Sequence, residues 1–202
     1  MVMRVTFQSG ALELEGELAV AAGSTRAAVI CHPHPQYGGD MDNSVVCVVA
    51  AALRDAGHAT LRFNFRGVGA SGGSYDGGVG EVEDARAAVR YLCTRAGSAR
   101  VILAGYSFGA IVALRAGVSE QVDALIAVAP PLASGEAVLA DLGGKRKLFI
   151  LGDRDQFCTP AMLQQALTRV AEPKTVVIAP GVDHFWAGGE RMLAQVVQAF
   201  AK

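Results

Sequence analysis

The sequence predicts an α/β protein with a doubly wound, mostly parallel sheet of eight strands. Short runs of β-branched and other apolar residues alternate along the chain with segments of helical periodicity, as in a parallel sheet that helices cover on both faces. The first two predicted strands instead alternate polar and apolar residues, which is typical of an antiparallel pair. We expect one domain over residues 1–202.

The antiparallel pair is predicted over 4–8 and 12–20. Its second strand alternates Leu12, Leu14 and Leu18 with Glu13, Glu15 and Glu17, and we expect the glutamates to face solvent. Six further runs lack this alternation and are predicted to be buried parallel strands: 27–31, 59–65, 101–105, 124–129, 148–151 and 175–178.

Helices are predicted between these strands, at 43–56, 80–95, 108–117, 159–170 and 189–201, with a weaker one at 136–141. The connection between the strands at 124–129 and 148–151 is too short for a cap domain. Four acids near the helix at 80–95 are expected to cap it and complement its dipole, without a chemical role: Asp76, Glu81, Glu83 and Asp84.

Composition argues against several classes of function. A hydrophobic content of 51% excludes a disordered chain. The formal net charge of −1 provides no field for nucleic acid or an anionic membrane, so we expect a small-molecule partner instead. The sequence shows neither a membrane-spanning stretch nor a signal peptide, which favours a cytoplasmic location. The four cysteines show no CxxC spacing and are expected to be reduced thiols.

The segment Gly105-Tyr106-Ser107-Phe108-Gly109 directly follows an apolar run and precedes a predicted helix. A serine acts as a hydrolytic nucleophile when a tight strand-to-helix turn presents its hydroxyl, and glycines on both sides permit the close backbone approach that such a turn needs. The amides at the start of the following helix favour a developing oxyanion. The sequence therefore predicts Ser107 as a nucleophile.

Two later strands are followed by an acid and a base. Asp153 and Asp155 follow the run at 148–151, and His184 follows the run at 175–178. Ligands of such sheets bind beyond the carboxyl ends of the strands, so we expect these side chains to cluster with Ser107. A neutral imidazole can accept the serine proton, and a carboxylate on its other nitrogen holds the productive tautomer.

With serine, acid and histidine in this order, the chain resembles the α/β-hydrolase superfamily over nearly its whole length. The His-Pro-His-Pro…Gly-Gly segment at 32–39 and the glycine-rich loop at 66–74 resemble small lidless bacterial hydrolases related to the dienelactone hydrolases. The resemblance implies a Gly-x-x-Asp turn after the seventh strand, which selects Asp155 over Asp153. Serine stands where dienelactone hydrolase has cysteine, so we expect an ordinary carboxylic ester as substrate.

Hydrolases of this fold bind the oxyanion with two backbone amides, one from the residue after the nucleophile and one from the loop that follows an earlier strand. In this chain, the loop after Cys31 lies at the second of these positions. Phe108 is the first predicted donor. Proline has no amide hydrogen, so His34 is the nearest candidate for the second, with Gln36 and Tyr37 behind it. The His32/His34 pair could also suggest a metal, but no third ligand is evident, and we expect neither metal nor cofactor.

An open site suited to short acyl esters is expected. Its candidate apolar walls are Tyr37, Tyr106, Phe108, Pro131, Phe157 and Phe185. The leading hypothesis is a serine esterase or thioesterase that forms an acyl-enzyme. The alternatives are acyl transfer or perhydrolysis through the same intermediate, and a non-catalytic binding protein of the same fold. Monomer and homodimer are both compatible with the sequence.

Overall fold

The computed structural model of the chain describes residues 2–20, 24–97, 100–132 and 142–202. Within these ranges eight strands form one sheet with the order β1-β2-β4-β3-β5-β6-β7-β8. The strands are β1 Val2–Ser9, β2 Leu12–Ala19, β3 Arg26–Cys31, β4 His58–Phe63, β5 Val101–Tyr106, β6 Val122–Val128, β7 Arg146–Gly152 and β8 Lys174–Ala179.

Five α-helices connect the strands. They are α1 Ser44–Asp55, α2 Gly80–Ala96, α3 Phe108–Ala116, α4 Pro160–Leu167 and α5 Glu190–Ala201. A short 3₁₀ turn, Pro35–Tyr37, lies in the loop after β3. The helix predicted at 136–141 falls outside the described residues. None of the helices in the described ranges is long and apolar enough to cross a membrane.

The predicted fold class is confirmed. β2 runs antiparallel to both β1 and β4. The other neighbouring strands, in the order β4-β3-β5-β6-β7-β8, pair in parallel. β4 ends at Phe63, two residues before its predicted end, because the backbone there leaves the sheet and the Phe65 amide donates to the His32 ring instead.

The expectation that all three β2 glutamates face solvent is wrong. Glu13 is exposed, but Glu15 and Glu17 are half-buried. Glu17 pairs with Arg62 of β4 at 2.6 Å, and Glu15 accepts hydrogen bonds from the side chain of Asn64 and the amide of Ala70, both at 2.7 Å. Glu15 and Glu17 therefore bind polar groups of β4 and of the segment that follows it.

The core lies on both faces of the sheet. Every residue of β5 is buried, and so are most residues of β3, β6 and β7, as continuous apolar parallel strands require. α1 packs against α5, and α2 against α3. A rigid central strand thus leads directly into the turn at Ser107.

Candidate active site

Ser107 occupies a strained turn between β5 and α3. Its backbone has φ 54° and ψ −120°, a conformation that a residue with a side chain rarely adopts. A Cβ on Gly105 would overlap the Gly109 carbonyl, and a Cβ on Gly109 would overlap the carbonyls of Cys31 and His32. The two glycines are therefore required by close backbone contact, as the motif predicted.

The structure brings Ser107, His184 and Asp155 together in one hydrogen-bonded chain. The Ser107 Oγ lies 3.0 Å from His184 Nε2, and His184 Nδ1 lies 2.8 Å from Asp155 Oδ2. The other carboxylate oxygen of Asp155 accepts the amides of Phe157 at 2.8 Å and Cys158 at 3.0 Å. Asp155 and His184 are both buried, so this orientation is fixed.

Asp153 has a different place. Its Oδ1 accepts the Gly181 amide at 2.7 Å, and the residue is exposed. It therefore connects the turn after β7 to the loop after β8 and does not contact His184 through a hydrogen bond. The structure therefore brings Asp155, and not Asp153, to the imidazole of His184.

Two contacts that the sequence did not indicate hold the loop of His184. The Tyr106 hydroxyl donates to the His184 carbonyl at 2.9 Å, and the His184 amide donates to Gln156 Oε1 at 3.2 Å. Burial raises the pKa of Tyr106 to about 12, so the phenol stays protonated and remains a donor. Tyr106 was expected to serve as a pocket wall, and it also supports the histidine.

Both predicted oxyanion donors border the same cavity as Ser107. Phe108 is the first residue of α3, where a backbone amide has no intrahelical acceptor. His34 precedes the 3₁₀ turn, and its carbonyl accepts the amides of Tyr37 and Gly39, both at 3.1 Å. These bonds fold the loop back on itself next to the start of α3.

His32 ties this loop to the chain after β4. Its ring is fully buried, with Nδ1 2.6 Å from the Pro33 carbonyl and Nε2 3.0 Å from the Phe65 amide. These partners assign a neutral ring that donates through Nδ1 and accepts through Nε2. Burial lowers the pKa of His32 to about 4. Phe65 lies far along the sequence, so no local pattern could reveal this role.

His34 is also held as a neutral ring. Its Nδ1 accepts the Gln36 amide at 3.2 Å, which places the proton on Nε2, 3.2 Å from the Tyr75 hydroxyl. Burial lowers its pKa. Within the described ranges, no group of three or more His, Cys, Asp or Glu side chains is arranged to hold a metal ion.

The cavity in front of Ser107 has a volume of about 790 Å³. All the residues that the sequence suggested as walls line it: Tyr37, Tyr106, Phe108, Pro131, Phe157 and Phe185. Tyr37, Phe157 and Phe185 are 87%, 54% and 60% exposed, so aromatic rings surround an open mouth. In the part of the chain that the structure describes, no cap domain covers this mouth. Ile111 and Arg115 of α3 also line the cavity, which the sequence did not indicate.

Two of the acids expected only to cap α2 are fully buried instead. Asp84 accepts the Ser9 hydroxyl at 2.7 Å and also the backbone and guanidinium of Arg66 at 3.1 and 2.8 Å. Glu81 accepts the amides of Asp76 and Gly78 at 2.8 and 2.7 Å. Asp84 thus holds the start of the glycine-rich loop through Arg66, and Glu81 holds the segment just before α2.

The chain matches the sequence model of a known protein family. A family model described as serine aminopeptidase, S33, matches residues 38–147. The chain belongs to this family. Among solved structures, an α/β serine hydrolase homologue from Coxiella burnetii is 34% identical, with a TM-score of 0.89 over 98% of this chain and 96% of the other.

Other structures agree on the fold of this serine hydrolase. A Xanthomonas campestris protein, described as a serine hydrolase without lid, is 32% identical, with a TM-score of 0.85 over 98% of this chain and 93% of its own. A dienelactone hydrolase from Anabaena variabilis shares the fold at 20% identity, with a TM-score of 0.84 over 99% and 96% of the two chains. The predicted relation to lidless α/β-hydrolases is therefore confirmed.

Proposed function

We propose that this serine hydrolase cleaves small carboxylic esters and thioesters through an acyl-enzyme. The observation that carries the proposal is the continuous chain from Ser107 Oγ through His184 to Asp155, with separations of 3.0 and 2.8 Å. Such a chain activates a serine hydroxyl that is otherwise a poor nucleophile. Its position at the floor of an open cavity gives a substrate direct access.

In the proposed acylation, Ser107 Oγ attacks the ester carbonyl while His184 Nε2 takes the hydroxyl proton. The carbonyl oxygen becomes an oxyanion, which the amides of Phe108 and His34 bind. His184 then returns the proton to the departing alcohol or thiol, and an acyl group remains on Ser107. A water molecule, activated by His184 in the same way, releases the acid and restores the serine.

Asp155 acts through His184. Its Oδ2 accepts a hydrogen bond from the Nδ1–H group, which leaves Nε2 free to accept the proton of Ser107. When the imidazolium forms, the adjacent carboxylate stabilises it. The two backbone amides on Oδ1 keep the carboxylate from rotating away.

The lining of the cavity favours esters that are small and uncharged around the reacting carbonyl. Its mouth is lined with exposed aromatic rings, which favour a compact apolar acyl group. The name of the family refers to aminopeptidase activity, which requires a group that recognises a terminal ammonium. Among the described residues that line the cavity there is no carboxylate, and the charged side chain present is Arg115, so we do not extend that activity to this chain.

The proposal also covers the cofactors, the partners and the location of the protein. Serine, histidine and aspartate complete the chemistry without a metal or cofactor. A net charge of −1 supports action on small molecules, with neither nucleic acid nor membrane as partner. We propose that residues 1–202 work as one domain, as a monomer or homodimer in the cytoplasm.

The test is turnover of p-nitrophenyl acetate, butyrate and octanoate by the purified protein and by Ser107→Ala and His184→Ala. We expect activity on the short esters and a loss of about a thousandfold or more in each variant, because the residues act as a unit. Ser74→Ala, at an exposed serine outside the cavity lining, is the matched control and should keep the wild-type rate. An inactive wild type whose Ser107 also fails to react with a fluorophosphonate would contradict the proposal and favour a binding protein.

Acyl transfer through the same intermediate is distinguished by the products. Alcohols, thiols or hydrogen peroxide are added at fixed ester concentration, and the acyl products are quantified. Hydrolysis predicts free acid as the main product at every acceptor concentration. Saturable formation of a new ester, thioester or peracid would indicate a transferase or perhydrolase.

A further inference from the structure

Arg115 lies in the wall of the cavity and has no assigned part in the proposed acyl transfer. Phe108, Ile111 and Arg115 all line the cavity, and their spacing of three and four residues places them on one face of α3. The Cα of Arg115 is therefore about 10 Å along the helix axis from that of Phe108. Side chains of a helix lean towards its N-terminus, so the guanidinium extends back towards Ser107.

The guanidinium has no acidic partner within the described ranges. The described residues that line the cavity with Arg115 include no aspartate or glutamate. Glu81, which binds the neighbouring Gly78 amide, uses its other oxygen on the Asp76 amide, and Asp84 pairs with Arg66. Arg115 is exposed to the solvent that fills the cavity, so its donors are available to a ligand.

The local packing restricts where this side chain can go. A Cβ built on Gly78 would stand 3.2 Å from Arg115 Nη1 and 3.5 Å from Phe108 Cε2. The backbone of Gly78, at φ +87°, therefore passes close to both side chains. A guanidinium held beside an aromatic ring and a backbone turn loses less entropy on binding than a freely rotating one.

We propose that Arg115 selects esters that carry a carboxylate within about 10 Å of the reacting carbonyl. The inference rests on the proposed esterase function and names the class of substrate that the same site prefers. A guanidinium presents a planar fork of donors that matches a carboxylate in both geometry and charge. The carboxylate belongs to either the acyl or the alcohol part of the ester, and both parts can be tested.

The experiment compares matched charged and neutral esters at equal chain length. For the acyl part, mono-p-nitrophenyl suberate is compared with p-nitrophenyl octanoate. For the alcohol part, 3-(4-acetoxyphenyl)propionate is compared with its methyl ester. Each kcat/KM is divided by the rate of the uncatalysed hydrolysis, which removes differences in intrinsic reactivity.

We expect the wild type to prefer the charged ester of one pair by about tenfold, mainly through KM, because a distant ion pair contributes to binding before and during the reaction. Arg115→Gln should abolish the preference, Arg115→Lys should keep part of it, and higher ionic strength should reduce it. Arg90→Gln removes the same charge from an exposed position on α2, outside this cavity, and should keep the full preference.

Two results would overturn the inference while leaving the esterase intact: equal rates within both pairs, or a preference that survives in Arg115→Gln. A binding measurement covers the case in which the proposed reaction itself is absent. Two ligand pairs are titrated into Ser107→Ala and Ser107→Ala/Arg115→Gln, with chemical shifts as the readout: monomethyl suberate with methyl octanoate, and 3-(4-acetoxyphenyl)propionate with its methyl ester. We expect about tenfold weaker binding of the charged ligand of one pair to the double variant, and equal binding of both charged ligands to the two variants would exclude the contact.

Discussion

Gly109 packs directly against the carbonyl of His32, with no space between them for a Cβ. The contact joins the first turn of α3, which carries the Phe108 amide, to the loop that carries the His34 amide. The spacing of the two proposed oxyanion donors thus depends on a glycine that takes no part in the chemistry.

Gly109→Ala should therefore impair both activity and stability. The added methyl group must push the His32 loop away from α3, which we expect to lower the free energy of unfolding by about 2–3 kcal/mol. Displacement of one oxyanion donor should reduce kcat by about a hundredfold or more. Urea unfolding and ester turnover measure the two effects.

Gly144→Ala is the control for that experiment. Gly144 has an ordinary φ, and no atom lies within 4 Å of a Cβ built on it. This variant should keep the activity and stability of the wild type. Wild-type behaviour of Gly109→Ala would show that the loop and the helix can separate without cost.

The two aspartates after β7 should differ sharply in their effect on catalysis. Asp155→Asn places an amide donor or a neutral oxygen beside His184 Nδ1 and disturbs the tautomer that accepts the serine proton. We expect kcat to fall by about a thousandfold or more. Asp153→Asn can still accept the Gly181 amide and should change kcat less than about threefold. Similar losses in the two variants would contradict the assignment of Asp155.

His32 should make the protein sensitive to acid. Its pKa is about 4 in the folded chain, below the usual 6.5, so between these values the unfolded chain binds a proton that the folded chain does not. Stability should therefore fall as the pH drops from about 6.5 to about 4, by about 3 kcal/mol from this residue, and no further below.

Urea unfolding across this pH range tests the effect in wild type and in His32→Gln. Glutamine keeps an acceptor for the Phe65 amide but does not titrate, so the variant should be less stable at neutral pH and lose less stability in acid. Parallel stability profiles for the two proteins would exclude His32 as the source of the acid sensitivity.

Asp84 and Glu83 are adjacent in sequence but should contribute very differently to the free energy of unfolding. Asp84 is fully buried and is bound by Ser9 and Arg66, so Asp84→Ala leaves the half-buried guanidinium of Arg66 and the buried hydroxyl of Ser9 without this acceptor. We expect it to lower the free energy of unfolding by about 3–5 kcal/mol. Glu83 pairs with Arg86 at the surface, and Glu83→Ala should change stability by about 0.5 kcal/mol at most. Equal effects in urea unfolding would refute this contrast.

The order of strands and helices could be predicted because each element carries its own hydrophobic period. The turn at Ser107 could be predicted because its glycines follow from contacts within a few residues and from one neighbouring loop. The choice between Asp153 and Asp155 needed a family resemblance, since both follow the same strand and only the fold decides which one reaches His184.

Contacts between residues far apart in sequence could not be predicted. His32 binds an amide 33 residues away, and Asp84 binds a hydroxyl 75 residues away. Arg115 belongs to a helix whose sequence indicates burial, because the seven other residues of the segment 110–117 are apolar or glycine. Whether such a side chain faces the core or a cavity depends on the rotation of the helix, which the rest of the fold determines.

The backbone of Ser107 sets activity against stability at a single position. A φ of 54° with ψ of −120° suits glycine better than serine, at a cost of about 1–3 kcal/mol. A lineage under selection for folding alone would drift towards glycine here and become more stable. With the proposed role of Ser107, the position exchanges backbone stability for a reactive hydroxyl.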